Sequence, residues 1–475
     1  MKPIRSPFYL LLACTAVLYS QYNPICGLPY IAGQTWNGPV QLKKSMQDNP
    51  VNREFKIRKD ILNITYDPIE IDCRLLYEDS SFLIYGEAAQ IDSGNIDTVA
   101  VNSLVTWFRD STAAGSIAPD QGIKAIADSI FGPPPDIDGN GQVFILLIDV
   151  RDNFDPDTSQ NFVAGYFDPA DQGYGGNYAD IIYLDTDPGR ITGSHTSLLM
   201  STLAHEYQHL IHYGRDPRED DWLNEGLSEL SPVLMGLPHR NFTHYLADTN
   251  VRLDKFDNEL ADYARCGLFF LYTWWEFGTP LIQDIVRDTE DGILSVDKQL
   301  SAQGGPTIDE FVLEWHLANM LPSDYSYTRQ YTIPQPALHT VINSYPHEAS
   351  IDVARLGAHW SVINAGASLY MKSTDAGPND DVQLLLIREP DHSFIDAPQL
   401  DVVGYLDTTF GIDYSGLLIL ATTGSSVATT AQYGLFASAT GGYREELLSF
   451  DEDREVDKFI LLGDEEFTGA AAIRF

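Results

Sequence analysis

Cysteine and basic side chains are both scarce in this chain. With 4 cysteines among 475 residues, disulfide bridges cannot be the main scaffold, and Cys26 and Cys73 are the candidate pair for a single bridge in an oxidising compartment. The chain has 29 Lys and Arg residues and 68 Asp and Glu residues, which gives a formal net charge of -39. Such a surface repels phosphate backbones and anionic membranes, so the composition argues against nucleic-acid binding.

Long apolar runs are also missing beyond the N-terminus, so no later segment is long enough to cross a bilayer. Residues 1–20 have the pattern of an export signal, with Lys2 and Arg5 ahead of a short apolar run. Within that run, Leu11-Leu12-Ala13-Cys14 resembles a bacterial lipobox, in which Cys14 would carry a lipid anchor. Cleavage after about Ser20 would instead release a free protein. In both cases we expect an extracellular or cell-envelope location.

What the chain does contain is the stretch His205-Glu206-Tyr207-Gln208-His209. The apolar spacing and the absence of proline over residues 197–213 predict a helix that ends near Gly214. On a helix, His205 and His209 lie one turn apart on the same face, where both imidazoles can bind one zinc ion while Glu206 acts as general base. A surface helix with incidental histidines is the alternative interpretation.

A catalytic zinc usually has three protein ligands and one position left for water, so a third ligand must come from elsewhere. In the metzincin pattern it would be a histidine at the sixth position after His209, where this chain has Arg215, so that class is excluded. Residues 222–229 predict a second helix that presents Glu225 and Glu229 on one face. The Asn-Glu pair ending at Glu225 resembles the gluzincins. This resemblance implies that Glu225 is the third ligand, and Glu229 then fits an acid that orients a ligand histidine. A solvated carboxylate is the other interpretation of Glu229.

The order of predicted elements divides the chain after the signal into four parts. Residues 21–65 are rich in Pro, Gly, Asn and Gln and are predicted to be a linker or pro-segment. Residues 66–333 combine predicted helices with buried strands, as expected for an α+β catalytic domain. Residues 334–440 carry short strands between turn-forming clusters, which predict a β-sandwich. Residues 441–475 form an acidic tail with a predicted strand and no assigned role.

Three further segments point to a known family. They are Phe-Gly at 131–132 followed by Asp-Ile-Asp-Gly-Asn-Gly at 136–141, Gly-Tyr-Phe-Asp-Pro-Ala-Asp at 165–171, and Ile-Ile-Tyr-Leu-Asp-Thr at 181–186. In this order, and together with the histidine motif, they resemble the hyicolysin-type secreted metallopeptidases over about residues 71–321. The resemblance implies a zincin-like catalytic domain in a zinc endopeptidase of the gluzincin type, which acts on protein or peptide substrates.

Two further groups of residues are candidates for function. Asp136, Asp138 and Asn140 match the opening of an EF-hand loop, which binds calcium, although Leu147 stands where such a loop has its bidentate glutamate. A hairpin turn built on Asp and Gly is the alternative. Tyr263 lies in a segment similar to the tyrosine-containing segment of related aminopeptidases, with the glycine displaced by one position. It is therefore the candidate donor to the oxyanion, and an ordinary core tyrosine is the alternative.

The sequence thus favours a metalloendopeptidase in which Glu206 deprotonates a zinc-activated water. The rival from another class is a surface binding protein that keeps the zincin scaffold and acts through its β-domain. The intact His205, Glu206 and His209 argue against it. An aminopeptidase would need an acidic pocket for the free amine of its substrate, and no matching Gly-rich exopeptidase motif precedes the histidine helix.

Overall fold

The computed structural model describes residues 23–31, 51–63, 66–159, 161–193, 196–364, 366–376, 381–397, 400 and 404–440. The predicted export signal with Cys14 and the predicted strand in the acidic tail lie outside these residues. None of the described helices combines the length and the apolar character needed to cross a bilayer. The chain divides into two compact units.

The first unit comprises Met1–Ala113, Ala118–Ala125 and Pro134–Leu210, and a seven-stranded mixed sheet lies at its centre. Its strands are β1 (Asn23–Cys26), β2 (Asn52–Arg58), β3 (Pro68–Glu78), β4 (Phe82–Glu87), β5 (Val143–Ile148), β6 (Asn161–Phe167) and β7 (Ile181–Asp185). Their order across the sheet is β1-β6-β7-β5-β4-β3-β2. Strands β4, β5 and β7 are parallel, β6 is antiparallel to β7, and β1 is parallel to β6.

The central strands have the composition that burial requires. Every residue of β5 and β7 is buried, and both read as nearly continuous apolar runs, as the sequence predicted. The first five α-helices among the described residues are α1 (Leu28–Ile31), α2 (Ala88–Asp92), α3 (Thr98–Arg109), α4 (Ile123–Phe131) and α5 (Thr196–Tyr213). Apolar residues 101, 104, 105 and 108 have helical spacing and predict a helix after Asp97. Helix α3 begins there, and the Asp97 side chain accepts a hydrogen bond from the backbone N–H of Ala100 at 2.6 Å.

The segment expected to be a linker or pro-segment contributes two strands to this sheet. Strand β2 pairs with β3 over seven residues, and β1 pairs with β6 at the opposite end of the strand order. Residues 23–26 and 52–58 of this segment are therefore part of the sheet, because their backbone groups are satisfied by strand pairing. The role of the segment as a linker or pro-segment stays a prediction.

The second unit comprises Ala114–Ile117, Ile126–Pro133 and Ile211–Phe475. Its helices are α6 (Asp221–Leu234), α7 (Thr243–Leu246), α8 (Leu260–Arg287), α9 (Gly292–Ala302), α10 (Ile308–Met320) and α11 (Ser326–Gln330). Helix α8 is kinked at Gly278, whose φ of 71° is a left-handed conformation that glycine adopts readily. The spacing of Thr307 and Glu310 ahead of an apolar run predicts a capping box, and helix α10 begins with it.

Two further sheets follow these helices. The strands are β8 (Thr340–Ile342), β9 (His347–Ala354), β10 (Ala358–Ile363), β11 (Ala367–Thr374), β12 (Val382–Glu389), β13 (Phe394–Ile395), β14 (Tyr405–Asp407), β15 (Gly416–Thr423) and β16 (Thr430–Thr440). They form a five-stranded sheet, β13-β12-β15-β10-β8, and a four-stranded sheet, β14-β11-β16-β9. Every pair is antiparallel except β8 with β10.

The five-stranded sheet is buried on both faces. One face shares an apolar cluster with the four-stranded sheet, in which Ile363 and Ile419 meet Val353 and Leu435. On the other face, Trp360 and Leu420 belong to a second cluster, together with Leu317 of α10. The alternation of apolar side chains to both faces explains why all eight residues of β15 are buried.

In coarse terms the architecture is mixed α and β with several sheets. The predicted boundary between residues 333 and 334 falls inside the second unit, since α10 packs against β10 and β15. That boundary and the other predicted domain limits stay predictions.

A buried histidine on α10 makes the stability of the second unit sensitive to acid. His316 is 1% exposed, its Nε2 lies 3.1 Å from the carbonyl oxygen of Leu356, and burial lowers its pKa to about 4. The unfolded chain, with an ordinary histidine pKa near 6.5, therefore binds more protons than the folded chain between pH 6.5 and 4. Stability contributed by neutral His316 is fully present above pH 7 and is lost as the pH falls through this window.

We predict that His316→Gln, whose side-chain amide can donate to the same carbonyl, loses less stability than the wild type between pH 7 and pH 5. The expected difference in the free energy of unfolding is about 2 kcal/mol, because at pH 5 only the unfolded histidine is protonated. Urea unfolding followed by tryptophan fluorescence at both pH values measures it. An equal loss of stability in the two proteins would show that His316 does not couple to folding.

Candidate metal centre

Helix α5 carries the histidine motif into the interior of the protein. His205 is 6% exposed and His209 is 1% exposed, and their Nε2 atoms lie 3.1 Å apart. The two rings are one helical turn apart and nearly perpendicular, with centroids separated by 4.8 Å. The alternative of a surface helix with incidental histidines is therefore wrong, because a surface helix would leave these imidazoles in solvent.

Strand β6 comes unusually close to this helix. A Cβ atom placed on Gly165 would lie 2.7 Å from Cγ2 of Thr202 and 3.3 Å from Cγ of Glu206. Glycine is thus required for the strand and helix to approach to this distance. Elsewhere on α5, Tyr207 is fully buried and its ring packs edge-on against Phe108 of α3. Packing on two sides fixes the orientation of the motif helix.

Cys26, at the end of β1, lies beside the two histidines and the glutamate. Its Sγ is 3.5 Å from Nε2 of His209 and 3.7 Å from Oε2 of Glu206. The sequence did not indicate this position, because Cys26 and His205 are 179 positions apart and neither spacing nor periodicity connects them. Only the pairing of β1 with β6 brings the thiol here.

The predicted bridge between Cys26 and Cys73 is wrong. Cys26, Cys73 and Cys266 are all free and buried. Burial raises the pKa of Cys73 to about 12 and that of Cys266 also to about 12, so both remain protonated thiols. Cys266 is thus a small buried side chain, as its position in an apolar stretch of the sequence predicts. Strand β1, which carries Cys26, and strand β3, which carries Cys73, are far apart in the sheet. Cys26 therefore lies in the candidate metal centre instead of forming the bridge.

Glu225 completes a group of four donors. Cys26, His205, His209 and Glu225 are all buried, and each offers one ligand atom within 4.8 Å of the others. Helix α6 places Glu225 one residue after Asn224, whose Oδ1 lies 3.2 Å from Nδ1 of His212, near the end of α5. The structure thus brings together both predicted histidine ligands and the predicted third ligand, and it adds a sulfur.

The other predicted site residues lie on α6 and α8. Glu229, one turn after Glu225, accepts a hydrogen bond from Nε of Arg240 at 3.2 Å and is 5% exposed. It is therefore not a solvated surface carboxylate. Tyr263 is fully buried, donates its hydroxyl to Asn258 at 2.6 Å, and has the Arg240 guanidinium 4.7 Å above its ring centre. The roles predicted for Glu229 and Tyr263 stay predictions.

The Asp-Gly segment before β5 forms a compact turn that uses its own carboxylates. Asp136 Oδ1 accepts from the N–H of Gly141 at 2.8 Å, and Asp138 accepts from Asn140 Nδ2 at 2.8 Å. Gly139 and Gly141 have φ values of 71° and 72°. These contacts fit the Asp and Gly turn that was the alternative to calcium binding. The turn leads from α4 into a parallel strand, so it is not a hairpin, and calcium binding stays a prediction.

No protein-family model matches this chain. It is similar to the neutral metalloprotease ShpI of Staphylococcus hyicus, with 28% identity over 226 residues, which are 42% of this chain and 51% of that protein. The chain thus spans about half the length of the curated relative it matches. Among solved structures, Legionella pneumophila aminopeptidase A in complex with aspartic acid aligns with 80% of this chain and 36% of its own length, at a TM-score of 0.31 and 10% identity. That likeness is too weak to carry an argument.

The four-donor group generates a prediction about the third ligand. Glu225→Ala should lower zinc affinity more than Glu229→Ala, because the first change removes a metal bond, whereas loss of a supporting contact typically costs about 10- to 100-fold. Competition with a chromophoric chelator measures both affinities, and circular dichroism verifies that each variant is folded. If Glu229→Ala weakens zinc binding more, the two glutamates have exchanged roles.

Proposed function

We propose that this chain is a zinc metallopeptidase that cleaves internal peptide bonds of protein or peptide substrates outside the cell or at its envelope. The observation that carries the proposal is the convergence of His205, His209 and Glu225 on one buried point, with Glu206 next to them on the same helix. Similarity to a neutral metalloprotease supports the reaction class.

The donors fit zinc on their own chemistry. Two imidazole nitrogens only 3.1 Å apart can share no more than one proton, so a cation between them satisfies both lone pairs. Tetrahedral zinc, with bonds to nitrogen of about 2.0–2.1 Å, separates two such nitrogens by about 3.3 Å. Nitrogen, sulfur and a single carboxylate are the ligands of zinc, whereas calcium and magnesium require mostly oxygen.

Zinc bound at this point would polarise the substrate carbonyl and lower the pKa of a water molecule to about 7. Among the protein's own residues, Glu206 would move the proton. Its side chain is 1% exposed, and its Oε2 lies 3.7 Å from Sγ of Cys26, beside the candidate ligands. In our proposal the Glu206 carboxylate takes the proton of the attacking water. It then gives this proton to the nitrogen of the leaving amine.

Tyr263 is our candidate for the group that stabilises the oxyanion. Its hydroxyl is an O–H donor in a buried setting, where a hydrogen bond to a developing negative charge is strongest. In this structure the hydroxyl donates to Asn258, so Tyr263 must exchange that partner for the substrate. Glu229, held by Arg240, is proposed to keep a ligand histidine in orientation.

We further propose a zincin-like catalytic domain followed by a β-sandwich. A mixed sheet whose strand β6 packs closely against the helix bearing the motif supports the first part. The apolar cluster shared by the two C-terminal sheets supports the second. The extracellular or envelope location rests on the predicted export signal and the strongly acidic composition.

Glu206→Gln should retain the fold and bound zinc, because Glu206 is a base rather than a ligand. Its hydrolysis of casein should fall by about 100-fold or more, as expected when the group that moves the proton is removed. Glu314→Gln is the matched control and should keep full activity. Glu314 lies on α10 and accepts a hydrogen bond from the hydroxyl of Tyr325. Unchanged casein hydrolysis by Glu206→Gln at full zinc occupancy would refute the mechanism.

A further inference from the structure

Cys26 lies close to the three other candidate ligands, although the proposed reaction does not use its thiol. Three protein ligands leave one position for water, whereas four protein ligands are typical of closed zinc sites. The sulfur lies within 4.8 Å of the ligand atoms of both histidines and Glu225. A thiol in this place either packs against the site or takes the fourth position.

We propose that Cys26 is a fourth ligand of the metal, and that strand β1 thereby holds the centre in a latent form that opens only when the sulfur leaves. This inference rests on the proposed function, since latency has meaning only for an active hydrolase. It concerns the chain's own thiol, which the proposed reaction does not use.

Charge favours the thiolate as a ligand. Zinc bound by two neutral imidazoles and one carboxylate would carry one positive charge, which the neighbouring Glu206 carboxylate offsets while Cys26 is a thiol. All four donors are buried, and a charge in such surroundings must be compensated. A thiolate ligand would place the compensating negative charge directly on the metal, and Glu206 could then hold the proton. The backbone N–H of Leu28 also points to Sγ at 3.3 Å, and such a donor stabilises a thiolate.

The backbone around Cys26 directs its side chain toward the candidate metal centre. The pairing of β1 with β6 shifts register between Ile25 and Cys26, and irregularities of this kind redirect side chains. Gly27 follows, and a Cβ there would lie 2.7–2.9 Å from the side chains of Ile61, Val163 and Tyr166. Leu28, in the short helix α1, is buried at 5% exposure and anchors the segment beyond the turn.

The same segment can leave without dismantling the sheet. Within the part of the chain that the structure describes, strand β1 is last in the strand order and pairs with β6, so its departure would break four residue pairs and leave the other described strand pairings in place. The chemistry is a proton transfer and a ligand exchange. On closing, the S–H bond would break, its proton would pass to Glu206 Oε2, and the thiolate sulfur would replace a water molecule at the metal. On opening, water would replace the sulfur, which would take the proton back from Glu206 Oε2 and so free Glu206 as a base.

Cobalt(II) substitution of the full chain tests the ligand without relying on activity, because a thiolate bound to cobalt gives a strong near-ultraviolet charge-transfer band. We expect this band in the wild type and in Cys73→Ala, a matched control in which a buried thiol of the same sheet is removed. The band should be absent in Cys26→Ala and in Cys26→Ser. A band that persists in both Cys26 variants would overturn the inference and leave the proposed function intact.

Casein hydrolysis by the zinc forms tests latency. Cys26→Ala should cleave at least tenfold faster than the wild type and Cys73→Ala, and adding Glu206→Gln to Cys26→Ala should abolish the gain. If the band is lost but the wild type is already as active as Cys26→Ala, the thiolate does not restrain the enzyme and latency is refuted. If the band is lost and neither protein cleaves casein, latency and the proposed function both fail, and the cluster is a closed structural site.

Discussion

The candidate metal centre depends on the close approach of strand β6 to helix α5. Without a side chain at Gly165, the strand lies directly against Thr202 and Glu206, and any Cβ would force the two elements apart. The strand in turn pairs with β1, which carries Cys26 to the histidines. A single residue without a side chain therefore sets the distance between the motif helix and the sulfur.

Burial gives the cluster its chemical character. The four donors and Glu206 are all nearly inaccessible to solvent, so electrostatic interactions among them are weakly screened. This setting favours metal binding, because the Nε2 atoms of His205 and His209 lie only 3.1 Å apart. It also makes the position of each charge important, since binding of the Cys26 thiolate would move one negative charge from Glu206 to the metal. The proposed catalysis and the proposed latency thus rest on the same buried environment and differ in whether one sulfur is bound.

The N-terminal residues show how composition can mislead. Pro, Gly, Asn and Gln over residues 21–65 are typical of a linker, yet Asn23–Cys26 and Asn52–Arg58 are strands at opposite ends of one sheet. Strand pairing is satisfied by backbone groups that every residue carries, so composition alone does not exclude it. The Asp and Gly segment at 136–141 is the converse case. Its residue types allow calcium binding, but its carboxylates accept hydrogen bonds from the turn itself.

The sequence alone determined the features that depend on local periodicity. Residues four apart on a helix share a face, so His205 and His209 were predictable as a pair. The same spacing left Glu225 and Glu229 as alternative candidates, and the resemblance to the gluzincins selected Glu225. The buried strands β5 and β7 and the capping box of α10 were predictable for the same reason, because each depends on residues that are neighbours in the sequence. Tertiary structure decided what depends on contacts between distant segments. Cys26 reaches His209 across 183 positions through strand pairing, and Glu229 meets Arg240 through the folding of the chain after α6. No spacing in the sequence encodes such contacts, because they arise only when separate elements pack together.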